Sequence, residues 1–536
     1  MMRSYAGLVA STALAALLLP SHADAAPSAP RPATVDSESF GMVVTRVTTE
    51  GEAAPKLDAS AATSRMDIDR DGKDEIVVGG GNGVVITYSG LPHRDHISTP
   101  IPSGTSPNFG DVMTSGDFDG DGYADLAISN PGERTPTGAA FGGGVWIFYG
   151  GATGLGLDQP QHVTQDTEGV PDDMEEYDFF GGALAAGDLN GDGRDDLAVG
   201  AKGETVNGAE RAGAVFVLYG SATGLTTIGA QLITQDTEGV PSHAEPHDGF
   251  GTAVAIGDMT GDGYDDLAVS APFEGDSVEE RELGIVMLLP GSPDGVTTTG
   301  VTFFLGRDVG ASAIGDTMSI GDIDGDGDGD LVAGAPRSWI GYVVYVPGSS
   351  AGMDVARFRT ISMETPGVPG DPYDHVDGDT PHADFGYSLA TGDVTGDGRA
   401  DVLTGAITYD VDGVQDAGAV LLIPGTADGL TGAGSLMLTQ YTSTTRTGTT
   451  VNPLGPAGTT DYFGRATSIL NLDGSGPLDM LTATDLDGYG GLVVRIGISS
   501  VQMPRSRGTL TYLSPLDWWT GDDISAYGIG YALLHR

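Results

Sequence analysis

Seven short runs of aspartate and glycine recur along the 536-residue chain, beginning at Asp67, Asp117, Asp188, Asp258, Asp322, Asp393 and Asn471. Six of them read Asp-x-(Asp/Asn/Thr)-x-Asp-Gly-x-x-(Asp/Glu). Calcium is a hard cation that takes about six to eight oxygens, and such a run can wrap it with side chains at positions 1, 3, 5 and 9 and the carbonyl at 7. Glycine at position 6 tolerates the positive φ of the sharp turn. The side-chain ligands expected are Asp67, Asp69, Asp71 and Glu75; Asp117, Asp119, Asp121 and Asp125; and Asp188, Asn190, Asp192 and Asp196. The next three runs give Asp258, Thr260, Asp262 and Asp266; Asp322, Asp324, Asp326 and Asp330; and Asp393, Thr395, Asp397 and Asp401. Position 7 is Lys73, Tyr123, Arg194, Tyr264, Asp328 and Arg399 in turn, each acting through its carbonyl. Asn or Thr at position 3 keeps an oxygen but gives up a charge, so the third, fourth and sixth runs should bind more weakly. The seventh, Asn471 to Asp479, has lost two carboxylates. The expected load is therefore about six Ca²⁺ ions.

A loop of this kind needs rigid flanks, and the flanks repeat as well. Upstream stands an aromatic-glycine pair, Phe109-Gly110, Phe180-Gly181, Phe250-Gly251, Phe385-Gly386 and Phe463-Gly464, followed by a short run such as Leu184 to Gly187. Downstream come Asp196 to Ala201, then Ala214 to Tyr219, a glycine-rich turn, and Gln231 to Thr234. Four short strands in each unit of about 70 residues suit a propeller blade better than a solenoid coil. Tandem independent β-domains are the alternative, but units this small, without a disulfide or zinc, are near the lower limit for a core of their own.

The order of aromatic-Gly, Asp-x-Asp-x-Asp-Gly-x-x-Asp and Gly-Ala-Pro resembles the FG-GAP repeat of integrin α-subunit propellers and their bacterial relatives. The third element stands as Ser270-Ala271-Pro272 and Gly334-Ala335-Pro336, and is altered to Gly200-Ala201-Lys202 and Gly405-Ala406-Ile407. The resemblance spans roughly residues 40 to 530. It implies an all-β, seven-bladed propeller of four-stranded blades, with calcium between the first two strands of most blades. It carries over no partner. The fifth unit departs from it with Ile314-Gly315, and either Phe40 to Val47 or Gly508 to Leu513 could supply the last blade's outer strand. Tyr527-Gly528 looks like an incomplete eighth start that docks on the first blade.

Composition narrows the function. The net charge is −51, from 75 acidic and 24 basic residues, which disfavours a nucleic-acid partner. There is no cysteine, so disulfides, cysteine-ligated zinc, Fe–S clusters and a cysteine nucleophile are excluded. Of the acids, 58 are Asp and 17 are Glu, and Asp favours turns over helices. Residues 1–25 read as a secretory signal, with Arg3, an apolar stretch and Ala23-Asp24-Ala25. Residues 26–37 read as a Pro/Ala-rich leader, and 38–536 as the propeller. The mature protein is expected outside the cell, with no membrane insertion.

Groups that look catalytic are discounted. Gly348-Ser349-Ser350-Ala351-Gly352 matches a nucleophile elbow, but that motif needs a strand-to-helix turn, and the same stretch in other units is a hairpin turn, as at Gly220 to Gly224. His93 and His96 lack the glutamate of a zinc-protease helix. His243, His247, His375 and His382 sit in polar insertions before the aromatic-glycine pairs, on the face expected opposite the calcium loops. Trp518 and Trp519 suit packing of a closing segment better than a sugar platform. The breaks in the repeat read as losses, not as gains of reactive groups. The expected function is a secreted calcium-binding module of binding or adhesion type, without catalysis of its own. Its partner would be an extracellular protein, cell-wall or glycan ligand. The rival readings are a propeller-based extracellular hydrolase and a lectin.

Overall fold

The computed structural model describes residues 66–80, 108–135, 141–275, 283–373, 383–439 and 461–472. Outside them it describes the stretches 33–39, 42–48, 83–88, 93–98, 477–486, 490–497, 509–513 and 532–533, with a few single positions. The signal peptide and the first part of the leader lie outside the described residues, as do His375, His382, Asp473, Ser475, Trp518, Trp519, Tyr527 and Gly528. The first strand, Ala33–Ser39, begins inside the stretch read as leader.

The described chain is all-β apart from one short helix, Gly306–Val309, and one 3₁₀ turn, Val355–Arg357. Six antiparallel sheets have four strands each, in sequence order. They run from Met113–Gly116 to Gln161–Val163, Ala183–Gly187 to Thr226–Ile233, and Val254–Gly257 to Thr302–Leu305. The others run from Thr317–Gly321 to Arg359–Ile361, Phe385–Gly392 to Leu436–Leu438, and Ala466–Leu470 to Thr509–Leu513. These are the second to the last sheets. The inner strands of five of them, joined by Leu478, line a central cavity of about 450 Å³, so the architecture is a β-propeller.

The first sheet corrects the expectation of seven alike blades. Six blades are four-stranded, and the first sheet has six strands. Both chain ends are added to it. The hairpin Ala33–Ser39/Met42–Thr48 joins through Met42–Thr48, which pairs with His93–Ser98, and Ala532–Leu533 pairs with Val78 and Gly79 on the other edge. Ala33–Ser39 and Ala532–Leu533 are thus the edge strands of this sheet. The outer strand of the last sheet is Thr509–Leu513, paired with Gly490–Gly497, so the C-terminal run supplies it.

The core lies between sheets rather than inside any one of them. Val215 and Val217 of the third sheet pack with Leu267, Val269 and Met287 of the fourth. At the chain ends, Met66 and Val77 of the first sheet, Phe109 and Leu126 of the second, and Leu470 and Leu481 of the last share one cluster. Middle strands therefore bury both faces, and Leu197, Ala198 and Val199 are all fully buried. That is why they read as continuous apolar runs instead of alternating ones.

The same packing explains the aromatic-glycine and Gly-Ala-Pro motifs. Phe180, Phe250, Phe385 and Phe463 each make a parallel bridge to the preceding sheet, at Gly143, Gly213, Gly341 and Gly418. The glycine that follows each phenylalanine approaches the preceding sheet's second strand: a Cβ on Gly200 would collide with the Gly251 carbonyl. Ile314, fully buried, fills the aromatic position in the fifth unit, and Gly315 donates to Gly334 O at 2.9 Å as its counterparts do.

Candidate metal centres

The second to seventh acidic loops each join the first and second strands of their sheet, the first leads into Ile76–Gly80, and the first six of the seven are shaped by their own carboxylates. Asp67 accepts from the backbone N–H groups of Asp71 and Gly72, at 2.9 and 2.7 Å. Asp117 and Asp188 repeat this pattern at positions 5 and 6. Asp258 and Asp393 do so with the N–H of position 4 added. Asp322 accepts from Gly325 and Gly327. The position-7 N–H of Lys73, Tyr123, Arg194, Tyr264, Asp328 and Arg399 donates to position 5 at 3.0–3.1 Å in all six loops. This turns the position-5 carboxylate into the bend, with Gly72 at φ 89° and its counterparts alike.

Position 9 carries the heaviest desolvation. Glu75, Asp125, Asp196, Asp266, Asp330 and Asp401 are all fully buried. In the second to sixth loops one oxygen accepts the position-2 N–H and the other accepts a glycine N–H from the turn between the third and fourth strands, as Asp125 does from Phe118 and Gly150. Gly220, Gly291, Gly348 and Gly425 play the same part for Asp196, Asp266, Asp330 and Asp401. Burial pushes Asp125 and Asp196 up to about 8, with neighbouring carboxylates adding to the rise and the backbone donors opposing it. Asp330 reaches about 7, and Asp266 and Asp401 about 6, from burial first. In the first loop Asp67 rises to about 6 and Asp69 to about 7, burial again leading, and Glu75 rises well above its usual range.

The donor set fits a hard cation. In three of the loops carboxylate oxygens converge to within 4.8 Å of one another: Asp67, Asp69, Asp71 and Glu75; Asp117, Asp119 and Asp125; Asp322, Asp324 and Asp330. Position 3 supplies the sharper observation. Asp69 Oδ2, Thr260 Oγ1 and Thr395 Oγ1 are buried and have no hydrogen-bond partner. A buried oxygen without a partner is costly, and a cation is a partner that carboxylates and hydroxyls can share. The third and sixth loops carry a further feature. The Arg194 and Arg399 side chains hold Asp192 and Asp397 at 3.3 and 2.6 Å, so in those loops a cation must compete with a guanidinium.

The loops are tied into a ring. The position-8 N–H of one loop donates to the position-1 carbonyl of the preceding one, as Asp195 does to Asp117 at 3.0 Å and Asp265 to Asp188 at 3.0 Å. The same bond links Ala124 to Asp67, Gly329 to Asp258, Ala400 to Asp322 and Leu478 to Asp393. Asp74 to Asn471, at 2.9 Å, returns from the last unit to the first.

The Gly348 to Gly352 stretch is a turn like its counterparts: Ser350 bridges to Gly352 as Ala222 does to Gly224, and Ser349 Oγ donates to Gly352 O at 2.8 Å, as Ser221 and Ser292 do in their turns at 2.6 Å. His243 is exposed and 3.8 Å from Asp236. The repeated insertions build the blades: the Thr164 and Thr234 N–H groups close the same turn on Thr167 and Thr237, and Gln165 and Gln235 donate to the buried Glu204 and Glu274. Glu175, Asp178 and Glu204 form a further carboxylate group that sequence reasoning missed. Burial raises Asp178 to about 6 and Glu204 to about 8.

A second site was also missed. On the insertion side a cavity of about 490 Å³ is lined by Lys202, Arg211, His247 and Arg337 against Phe179 and Phe273. The signal for it was Lys202, which stands where Pro272 and Pro336 stand in neighbouring units. The breaks in the repeat thus include a gain of cations, contrary to the reading that they are losses alone.

Comparison with known proteins agrees with this construction. The FG-GAP repeat model matches residues 109–148, 180–218, 250–286 and 385–423. Mouse phosphatidylinositol-glycan-specific phospholipase D is 32% identical over 35% of this chain and 22% of its own length. Drosophila melanogaster integrin alpha-PS2 is 33% identical over 38% of this chain and 14% of its own. The chain thus spans about a fifth or less of the length of these relatives. A solved structure of the Dos1 propeller aligns at 10% identity with a TM-score of 0.35, over 83% of this chain and 85% of that one, and bears no argument. With the motif order and the sheet packing, these matches show that the chain carries FG-GAP repeats and is similar to integrin α chains in the part they share.

Proposed function

We propose that the protein is a secreted, calcium-loaded propeller that closes as a seven-fold ring and acts as an extracellular recognition module without chemistry of its own. The observation that carries the calcium reading is the set of orphaned position-3 oxygens, Asp69 Oδ2, Thr260 Oγ1 and Thr395 Oγ1, beside fully buried position-9 carboxylates. Recognition is assigned to the opposite side, because the acidic loops are bound to one another while the insertions share a first turn and then diverge, as 172–179 does from 242–249. Among the described residues no helix is long and apolar enough to cross a membrane. The hydrolase reading draws on the phospholipase D relatives, but the match covers about a fifth of that enzyme, and fold alone does not carry activity across.

Two measurements test the proposal. Calorimetric titration of metal-free protein should find about six Ca²⁺ ions with the seventh site weak or absent, and seven equal sites would contradict the ligand assignment. The loaded protein should be retained on cell wall, matrix or glycan in a calcium-dependent manner and turn over no ester, phosphodiester or polysaccharide. Turnover that survives Ser350→Ala but is lost in His247→Ala would replace the module with an enzyme.

A further inference from the structure

The insertion side holds a cavity in which cations gather on a chain that has few of them. Lysine and arginine number 24 against 75 acids, yet Lys202, Arg211 and Arg337 line this one cavity of about 490 Å³, with His247 beside them. None of the three is a repeat residue. Lys202 replaces a proline; Arg211 stands where other units have Phe141 and Asp416; Arg337 stands where they have Gly203 and Phe273.

The cations are arranged on rings. Lys202 Nζ is 5.9 Å from the centre of the Phe179 ring, and the Arg211 guanidinium is 5.9 Å from the centre of Tyr177. The two rings lie 6.2 Å apart, and both approach Phe141, so an aromatic group carries a cation at each end. Arg337 sits 5.0 Å over Phe273 and pairs with Asp316 at 3.0 Å. Lys202 and Arg211 make no ion pair among the described residues. Two acids also line it: Glu245 is exposed, and buried Asp248 accepts the Glu245 N–H at 2.7 Å. The left-handed backbone at Phe179 recurs at Ala313, Asp384 and Tyr462, so the scaffold is the repeat's and only the side chains are particular to this place.

We propose that this cavity binds a singly anionic sugar ring, a uronic acid or its like. The carboxylate is drawn by Lys202 and Arg211, the ring face lies on Phe179, and hydroxyls donate to Glu245. A guanidinium fork matches a carboxylate, and aromatic rings supply an apolar face with a defined orientation. A ligand that brings one negative charge and several hydroxyl donors satisfies both walls. A dense polyanion or an acidic peptide brings acceptors alone and is opposed by Glu245 and by the net charge of −51. The volume falls in the usual range for small-molecule sites, about 300–1,000 Å³.

The inference rests on the reading of the chain as a binding module, and its test separates the two. Calcium-loaded full-length protein is titrated with a glucuronate-containing disaccharide, with its methyl ester, and with a hexaglutamate peptide. The acid should bind at least about tenfold more tightly than the ester or the peptide, and Lys202→Met and Arg211→Met should each weaken it about tenfold or more. Arg134→Met, on another sheet, should leave it unchanged. Melting curves check that each variant folds, and Arg211→Gln replaces any that does not. Equal affinity for acid and ester, unaltered binding in both variants, or tighter binding of the peptide would overturn the anionic-sugar site. Retention on glycan or matrix without disaccharide binding overturns this site alone. Absence of retention on every surface, together with substrate turnover, overturns the module reading itself.

Discussion

The residue that governs each loop is the fully buried acid at position 9. Asp125, pushed by burial to about 8, binds its proton more tightly in the folded protein than in the unfolded chain. Without metal, stability is then full below the ordinary carboxylate range and is lost as pH rises through about 8. A cation reverses the sign, because it favours the ionised form. In chelator the melting temperature should therefore be higher at pH 5 than at pH 8, and saturating Ca²⁺ should remove or invert that slope. Asp125→Asn should flatten the slope in chelator, which separates this carboxylate from the general self-repulsion of the acidic chain. A melting temperature that climbs from pH 5 to pH 8 in chelator would refute the assignment. Position 3 offers a complementary test. Thr395 Oγ1 is an orphaned oxygen, so Thr395→Asp adds a charge where a ligand is already aimed. Its site should tighten by about an order of magnitude in a calcium titration.

At the scale of the element, the aromatic-glycine pair is a joint between sheets. Phe180 is fully buried and meets Phe216 edge-on, with ring centres 5.2 Å apart. Phe180→Ala should destabilise by about 3–5 kcal/mol, read as a drop in denaturation midpoint with the slope unchanged. Ile314 performs the same filling in the fifth unit, so Phe180→Ile should recover most of the loss. The repeat made this joint legible: identical residues at a fixed spacing can only mean identical contacts. The six acidic loops were legible for the same reason. Two other features were hidden because they do not repeat. The hairpin at 33–48 has no aspartate run, and its role depends on finding the outer edge of a sheet 45 residues further on, at His93–Ser98. The cation cavity draws Lys202 and Arg211 from the third unit, His247 from the fourth and Arg337 from the fifth, so no single unit reveals it.

At the scale of the whole molecule, the ring closes where the chain passes from the last sheet to Ala532–Leu533, which joins the first sheet through two residue pairs only, Val78 with Leu533 and Gly79 with Ala532. The other neighbouring sheets are joined by chain that enters a longer strand on each side. Between the last and first units the load falls on the shared cluster of Met66, Val77, Leu470 and Leu481, the strand Ala532–Leu533, and the bond from Asp74 N–H to Asn471 O. Asp74 adds a second link, since its Oδ2 accepts the Asn471 N–H at 2.6 Å while the residue is almost fully buried. Asp195 and Asp265 make the same bond, at 2.9 Å, to Asp117 and Asp188 within the continuous part of the ring. Replacing any of the three by alanine strands a backbone donor and should cost about 1–3 kcal/mol locally. At Asp195 the chain still holds the sheets together, and the damage stays in one loop. At Asp74 the same loss falls where the chain's own link is only the short strand Ala532–Leu533, so the first and last sheets can open as a unit. Asp74→Ala should therefore lower the melting temperature more than Asp195→Ala, and raise amide exchange at Val77 and Val78 and at Met480 and Leu481 together. Equal effects from the two variants, with exchange confined to the substituted loop, would mean that the seam is no weaker than any other junction in the ring.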